Sequence, residues 1–149
     1  MDYKNFKHYQ KLFDNYTKNF VQKNNSENIR LKLRHSYAVS KNMEKLCSAI
    51  DLSEKSHRIA KIIGLFHDIA RFPQYDQYGT FRDDLSFDHA EKAVEIIEAE
   101  NFLKHEDKEV TRAIKNSILY HNKEKIHADS MDNVSWLFAR LIRDADKLD

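Results

Sequence analysis

Two glycines and one proline in 149 residues leave the chain almost without turn formers and helix breakers. That scarcity argues against sandwiches and barrels of short strands, whose tight turns draw on both residue types. No alternating apolar pattern competes with the helical spacing. A single cysteine, Cys47, excludes an internal disulfide framework, and its place among Leu46 and Ile50 makes it a small core residue, not a nucleophile. Charge of either sign is not in excess: 25 Lys+Arg against 24 Asp+Glu give a net charge of +1. The basic footprint of a nucleic-acid or anionic-membrane binder is therefore missing. No apolar run approaches the roughly 20 residues that span a bilayer. The N-terminus, Met-Asp-Tyr-Lys-Asn-Phe, has no hydrophobic signal segment, so a cytoplasmic protein is expected. Neither an internal repeat nor a low-complexity linker interrupts the chain. What remains is one all-α domain, long enough to bury a real core.

Residues 2–22 carry an aromatic stripe (Tyr3, Phe6, Phe13, Tyr16, Phe20, with Leu12) that predicts a first helix packed on that core. A turn at 22–26 follows, with Ser26 as N-cap. The second helix, to about Ile50, places His35 on one face with Leu31, Val39 and Leu46. Ser53 caps the third, which runs into Gly64-Leu65-Phe66-His67-Asp68-Ile69-Ala70-Arg71. If Ile63, Phe66 and Ala70 face inward, His67 lies with them. Asp68 falls about 100° further round, near Gly64, where a missing side chain leaves room. From Arg71 to Phe87 periodicity disappears, and Pro73, Gly79 and several aromatics predict an irregular binding loop.

Asp88 and Glu91 have capping-box-like spacing at the head of a helix with His89 in its first turn. After a short polar break at 101–106, Val110, Ile114, Ile118 and His121 share one helical face. The last helix is expected after Asp129-Ser130, with an apolar arc of Leu137, Phe138, Leu141, Ile142, Ala145 and Leu148. Asp144 and Asp146 lie at opposite edges of that arc, and geometry does not choose between them. The pattern reaches Asp149 without a C-cap, which leaves room for the natural polypeptide to continue. His8, His57, His105 and His127 belong to no inward stripe and are read as surface residues.

A carboxylate beside an apolar stripe is costly unless something positive neutralises it. Histidines repeatedly facing inward, one of them next to an aspartate, form a ligand set suited to a divalent metal.

The ordered set His35, His67-Asp68, His89, His121 and Ala145-Asp146 resembles the HD superfamily of metal-dependent phosphohydrolases, named for its His-Asp doublet. The family's basic signature is an early His, the doublet and a late Asp usually preceded by Ala. It is met by His35, His67-Asp68 and Asp146, and the resemblance spans Arg34 to Lys147. It selects Asp146 as the late ligand, with Asp144 as fallback. His89 and His121 match the extra histidines of two-metal branches, where the doublet aspartate, here Asp68, bridges both ions. Arg71 stands where cyclic-dinucleotide phosphodiesterases of the superfamily usually have Lys. The rest of their extended signature is absent, so their substrate is not assigned.

The resemblance implies a multi-helix HD-type bundle, with a core over 30–149 and an accessory helix over about 1–25. It also implies one or two divalent transition-metal ions, Fe or Mn, with Mg, Ni or Co as alternatives. The activity it implies is hydrolysis of a phosphomonoester or phosphodiester, with a small nucleotide as the expected substrate. Asp68 would orient a metal-activated hydroxide, and Arg71 and Lys147 are placed in sequence to meet phosphate oxygens. Tyr75, Tyr78 and Arg82 of the 71–87 segment are the expected substrate contacts. A di-iron oxygenase with the same ligands is the alternative, and a non-catalytic regulatory HD module the third reading.

Overall fold

The computed structural model of the chain describes residues 5–126, 129 and 131–149. Among these there is no strand, and seven α-helices follow one another: α1 (Phe6–Lys23), α2 (Glu27–Ala49), α3 (Glu54–Phe66), α4 (Arg71–Tyr78), α5 (His89–Ala99), α6 (Lys108–Tyr120) and α7 (Asn133–Lys147). Most helix starts are written locally. Asn5, Ser26, Ser53, Asp88 and Asp107 each accept a backbone N–H of the first turn on the side chain. Such caps satisfy donors that have no intrahelical partner, each contributing about 1 kcal/mol. The first helix matches expectation, although Tyr3 lies outside the described residues, as do Ser130 and His127 near the start of α7.

The core is built around the end of α3. Phe66, the residue before the doublet, packs edge-on against Phe13 at 5.8 Å between ring centroids, and Phe13 lies 6.0 Å from Phe72. Tyr9, one step off the predicted stripe, is fully buried; its hydroxyl donates to Glu106, which also receives Arg58 at 2.8 and 3.1 Å. Phe102 and Leu103 are buried as well, so the 101–106 connection is an apolar plug, not a polar break.

Two expected faces need correction. Leu31 is 52 % exposed, because the buried face of α2 runs through Ile29, Ser36, Val39, Ser40, Met43 and Cys47, with His35 on its edge. Leu148, counted in the apolar arc of α7, is 67 % exposed because the helix ends at Lys147.

The 71–87 segment is not irregular: it holds α4 and a short 3₁₀ turn at Asp83–Leu85. Pro73 is the third residue of α4, where its missing N–H would have had no intrahelical acceptor. Gly79 ends the helix at φ 66°, its N–H donating to the Tyr75 carbonyl at 2.8 Å. Both breakers therefore frame a helix. No helix is long and apolar enough, among the described residues, to cross a membrane.

Gly64 serves a different neighbour from the one expected. A Cβ there would meet Ser40 Cα at 2.8 Å and Ser40 N at 3.0 Å, so the missing side chain admits the backbone of α2, not Asp68. Helix propensity alone would favour Gly64→Ala by about 1 kcal/mol. Forcing two backbones apart costs about 1–3 kcal/mol. Gly64→Ala is expected to lower stability despite the better helix former, read as a reduced urea midpoint. An unchanged or raised midpoint would contradict the close approach.

Candidate metal centre

Four helix ends and the edge of α2 converge on Asp68. His67 is the C-cap of α3 and His121 the C-cap of α6, and each fixes its ring in the same way. His67 Nδ1–H donates to the Gly64 carbonyl at 2.7 Å and His121 Nδ1–H to the Ile118 carbonyl at 2.6 Å. His89, the first residue of α5, has its Nδ1 held by Asp83 at 2.7 Å, and His35 on α2 has its Nδ1 held by Asp149 at 2.7 Å. Acceptors at the Nδ1 atoms of His67, His89 and His121 place the ring proton there in the neutral imidazole. Their Nε2 atoms are left with lone pairs towards Asp68, while His35 has a carboxylate at each ring nitrogen, Asp149 at Nδ1 and Asp146 at Nε2.

The Asp68 carboxylate divides the cluster in two. Its Oδ2 lies 3.6 Å from the Nε2 atoms of both His35 and His67, while Oδ1 lies 3.5 Å from His89 Nε2 and 3.8 Å from His121 Nε2. Asp146, in the last turn of α7, closes the first half, its Oδ1 at 2.8 Å from His35 and 3.4 Å from His67. His35, His67 and Asp68 form one group able to hold an ion, His67, His121 and Asp146 a second, and Asp68, His89 and His121 a third. Asp146, not Asp144, reaches the cluster.

Two observations fit a cation there. The Nε2 of fully buried His67 has no hydrogen-bond partner. The Nε2 atoms of His89 and His121 approach to 3.1 Å, a distance that two lone pairs tolerate only with a proton or a metal between them.

Burial alone would push the Asp68 carboxyl up, but His67, His121 and Lys32 outweigh it and hold it well below the ordinary carboxylate range. Asp146 is likewise opposed by burial and held low by the bonded His35 and by His67 beside it. His35 is raised, chiefly by the bond to Asp146. His67 is raised too, its burial overcome by Asp68 and Asp146. His89 is lowered by burial first, with His121 and Arg71 adding to it.

The other predicted residues spread outward. Arg71 Nε lies 3.9 Å from Asp68 Oδ1, and its Nη1 donates to Gln74, to the Phe81 carbonyl and to Asp83. Lys147 is exposed on another face of α7, lining a cleft with Trp136, Arg140 and Arg143. The Tyr75 hydroxyl accepts from Asn28, and its ring lies 4.9 Å from Phe81. Tyr78 is exposed with its ring 5.8 Å from Phe87, and Arg82 pairs with Asp84. His8 and His57 are half-buried and His105 exposed, none of them in the metal-capable groups. Sequence reasoning missed Lys32, whose ammonium lies 3.5 Å from Asp68 Oδ2, although its place three residues before His35 puts it on the same helical face. Asp83, Gln74 and Asp149 were missed as well, and no periodic signal marks them.

The family model described as HD domain matches residues 33–149, which takes in every member of the cluster. Neither curated proteins nor solved structures give a significant match. The chain belongs to the HD domain family, the His-Asp superfamily of metal-dependent phosphohydrolases.

Proposed function

We propose that this protein is a metal-dependent phosphohydrolase that cleaves a phosphomonoester or phosphodiester of a small nucleotide. One observation carries the reading: the two oxygens of Asp68 face different histidine pairs, His35/His67 on one side and His89/His121 on the other. This arrangement suits two ions sharing one carboxylate. His35, His67, Asp68 and Asp146 would hold the first, Asp68, His89 and His121 the second. The donor set of imidazoles and carboxylates suits Fe or Mn, with Mg, Ni or Co as alternatives. When bound, such ions supply Lewis acidity and lower the pKa of water to about 7, so hydroxide is available at neutral pH.

The chain's own residues do the rest. Asp68, kept ionised, orients the attacking oxygen and accepts its hydrogen bond. Arg71 borders the same carboxylate, with its Nε 3.9 Å from Asp68 Oδ1, and is assigned to the charge of a phosphate oxygen. Lys32 adds an ammonium on the opposite edge of Asp68, 5.2 Å from the Phe81 ring. Lys147, exposed on another face of α7, is given no phosphate contact in this reading. Tyr75, Tyr78 and Arg82 are assigned to the part of the substrate beyond the phosphate, with the Tyr75–Phe81 pair as a flat surface for a base.

Protein purified without chelator is expected to carry between one and two transition-metal ions per chain by elemental analysis. His89→Ala together with His121→Ala should lower that number; an unchanged content of one would remove support for the second ion. Because His35 and His67 bind protons above the ordinary histidine value of 6.5, protons compete with metal as the pH falls. Metal content should therefore fall as the pH is lowered, read by elemental analysis after dialysis at stepped pH.

Phosphate or a nucleoside monophosphate should be released from a nucleotide panel in the presence of Mn²⁺, and Asp68→Ala should abolish the release while circular dichroism stays helical. Activity surviving in Asp68→Ala would contradict the site. Dioxygen consumption without phosphate release, measured on the same sample, would favour an oxygenase instead.

Replacing Tyr75 and Tyr78 together with Ala should leave metal content unchanged and raise KM for the preferred nucleotide more than for p-nitrophenyl phosphate. Equal effects on both substrates would remove these tyrosines from the recognition of the organic moiety.

A further inference from the structure

Asp83 is a carboxylate that none of the metal-capable groups includes, yet it is engaged on every side. Its Oδ1 accepts from Arg71 Nη1 and Gln74 Nε2, both at 2.9 Å. Its Oδ2 accepts from the His89 backbone N–H at 3.1 Å and from His89 Nδ1–H at 2.7 Å. Gln74 is fully buried, and its second amide hydrogen bonds Ser86 at 2.8 Å. Two elements therefore grip Asp83 from behind, α4 through Arg71 and Gln74 and the 3₁₀ turn through its own backbone, while its second oxygen holds His89 by both the backbone N–H and the imidazole. That imidazole presents Nε2 to Asp68 and His121.

We infer that Asp83 is a positioning residue for the second metal ion: it fixes the tautomer and orientation of His89, and it makes loading of that half of the site depend on the folded 79–88 segment. The inference rests on the two-ion reading above. Its chemistry lies in the number of acceptors. A carboxylate satisfies four donors with two oxygens, whereas an amide has one oxygen. In Asp83→Asn the oxygen is drawn to the charged Arg71 and to Gln74, which turns the NH₂ towards His89, where the backbone N–H loses its acceptor and the ring faces a donor. Nδ1 must then accept, the ring proton moves to Nε2, and the lone pair that faces Asp68 and His121 is lost. Partners of this kind, one bond beyond the ligand, change metal affinity by about 10–100-fold when removed.

Calorimetric titration of the metal-free protein with Mn²⁺ tests this. The wild type should bind two ions, and Asp83→Asn should bind the first with unaltered affinity and the second about 10–100-fold more weakly. Asp84→Asn, the same charge change on the neighbouring exposed residue, should leave both affinities as in the wild type. In a His89→Ala background, adding Asp83→Asn should change the remaining Mn²⁺ affinity by no more than Asp84→Asn does. Unaltered binding of two ions by Asp83→Asn would overturn the inference while leaving the two-ion reading intact. Loss of both ions or of the fold in Asp83→Asn would also overturn it, since the residue would then act on the whole domain and not through His89. A wild type that saturates with a single ion would overturn the two-ion reading and this inference together.

Discussion

A buried negative charge is the constraint to which the rest of this molecule answers. Asp68 is nearly inaccessible, and burial opposes its ionisation. An unpaired carboxylate in that position would make the folded chain improbable, so cationic or cation-binding groups must meet it from several directions. The fold supplies them by bringing the C-termini of α3 and α6, the N-terminus of α5, the end of α7 and the edge of α2 to one place. Lys32 contributes an ammonium, and the histidines contribute nitrogen lone pairs that become useful when a cation is present.

The use of helix termini is itself informative. At a C-terminus the last carbonyls lack intrahelical donors. His67 and His121 take up the i−3 carbonyl with Nδ1–H, so a group that caps the helix also presents a lone pair to the interior. The start of α5 works in the opposite sense: Asp88 caps the helix, and Asp83 receives both the backbone and ring N–H of His89. Structural satisfaction and ligand orientation are thus achieved by the same bonds. A change that unravels the last turn of α3 or α6 would alter the chemistry as well as the packing.

Much of this was legible in the sequence, because helices and their caps follow local rules. Apolar spacing marked the core faces of α3, α5 and α6, and Ser26, Ser53 and Asp88 cap as their positions suggested. The convergence of His67, Asp68, His89, His121 and Asp146 was foreshadowed by their inward faces and by family resemblance. Other features depend on partners distant in sequence. Pro73 and Gly79 read as breakers, yet one occupies the first turn of α4 and the other its terminus. Leu31 follows the spacing rule but meets solvent, since nothing packs where the rule would send it. Asp83 could not be distinguished from a solvated loop aspartate until Arg71, Gln74 and His89 were seen around it.

The contact at Gly64 has a wider consequence. Because α2 meets α3 there through backbone atoms, the gap between the two helices is a hard stop and not a cushion of side chains. His35 rides on one wall of that gap and His67 closes the other, so their separation is insulated from substitutions elsewhere in the core. A cradle of such fixed bite cannot breathe to suit ions of different radius. Were ions bound, selection by radius would therefore fall to the half that contains His35 and His67, and tolerance of different ions to the half whose walls are side chains, with His89 and His121.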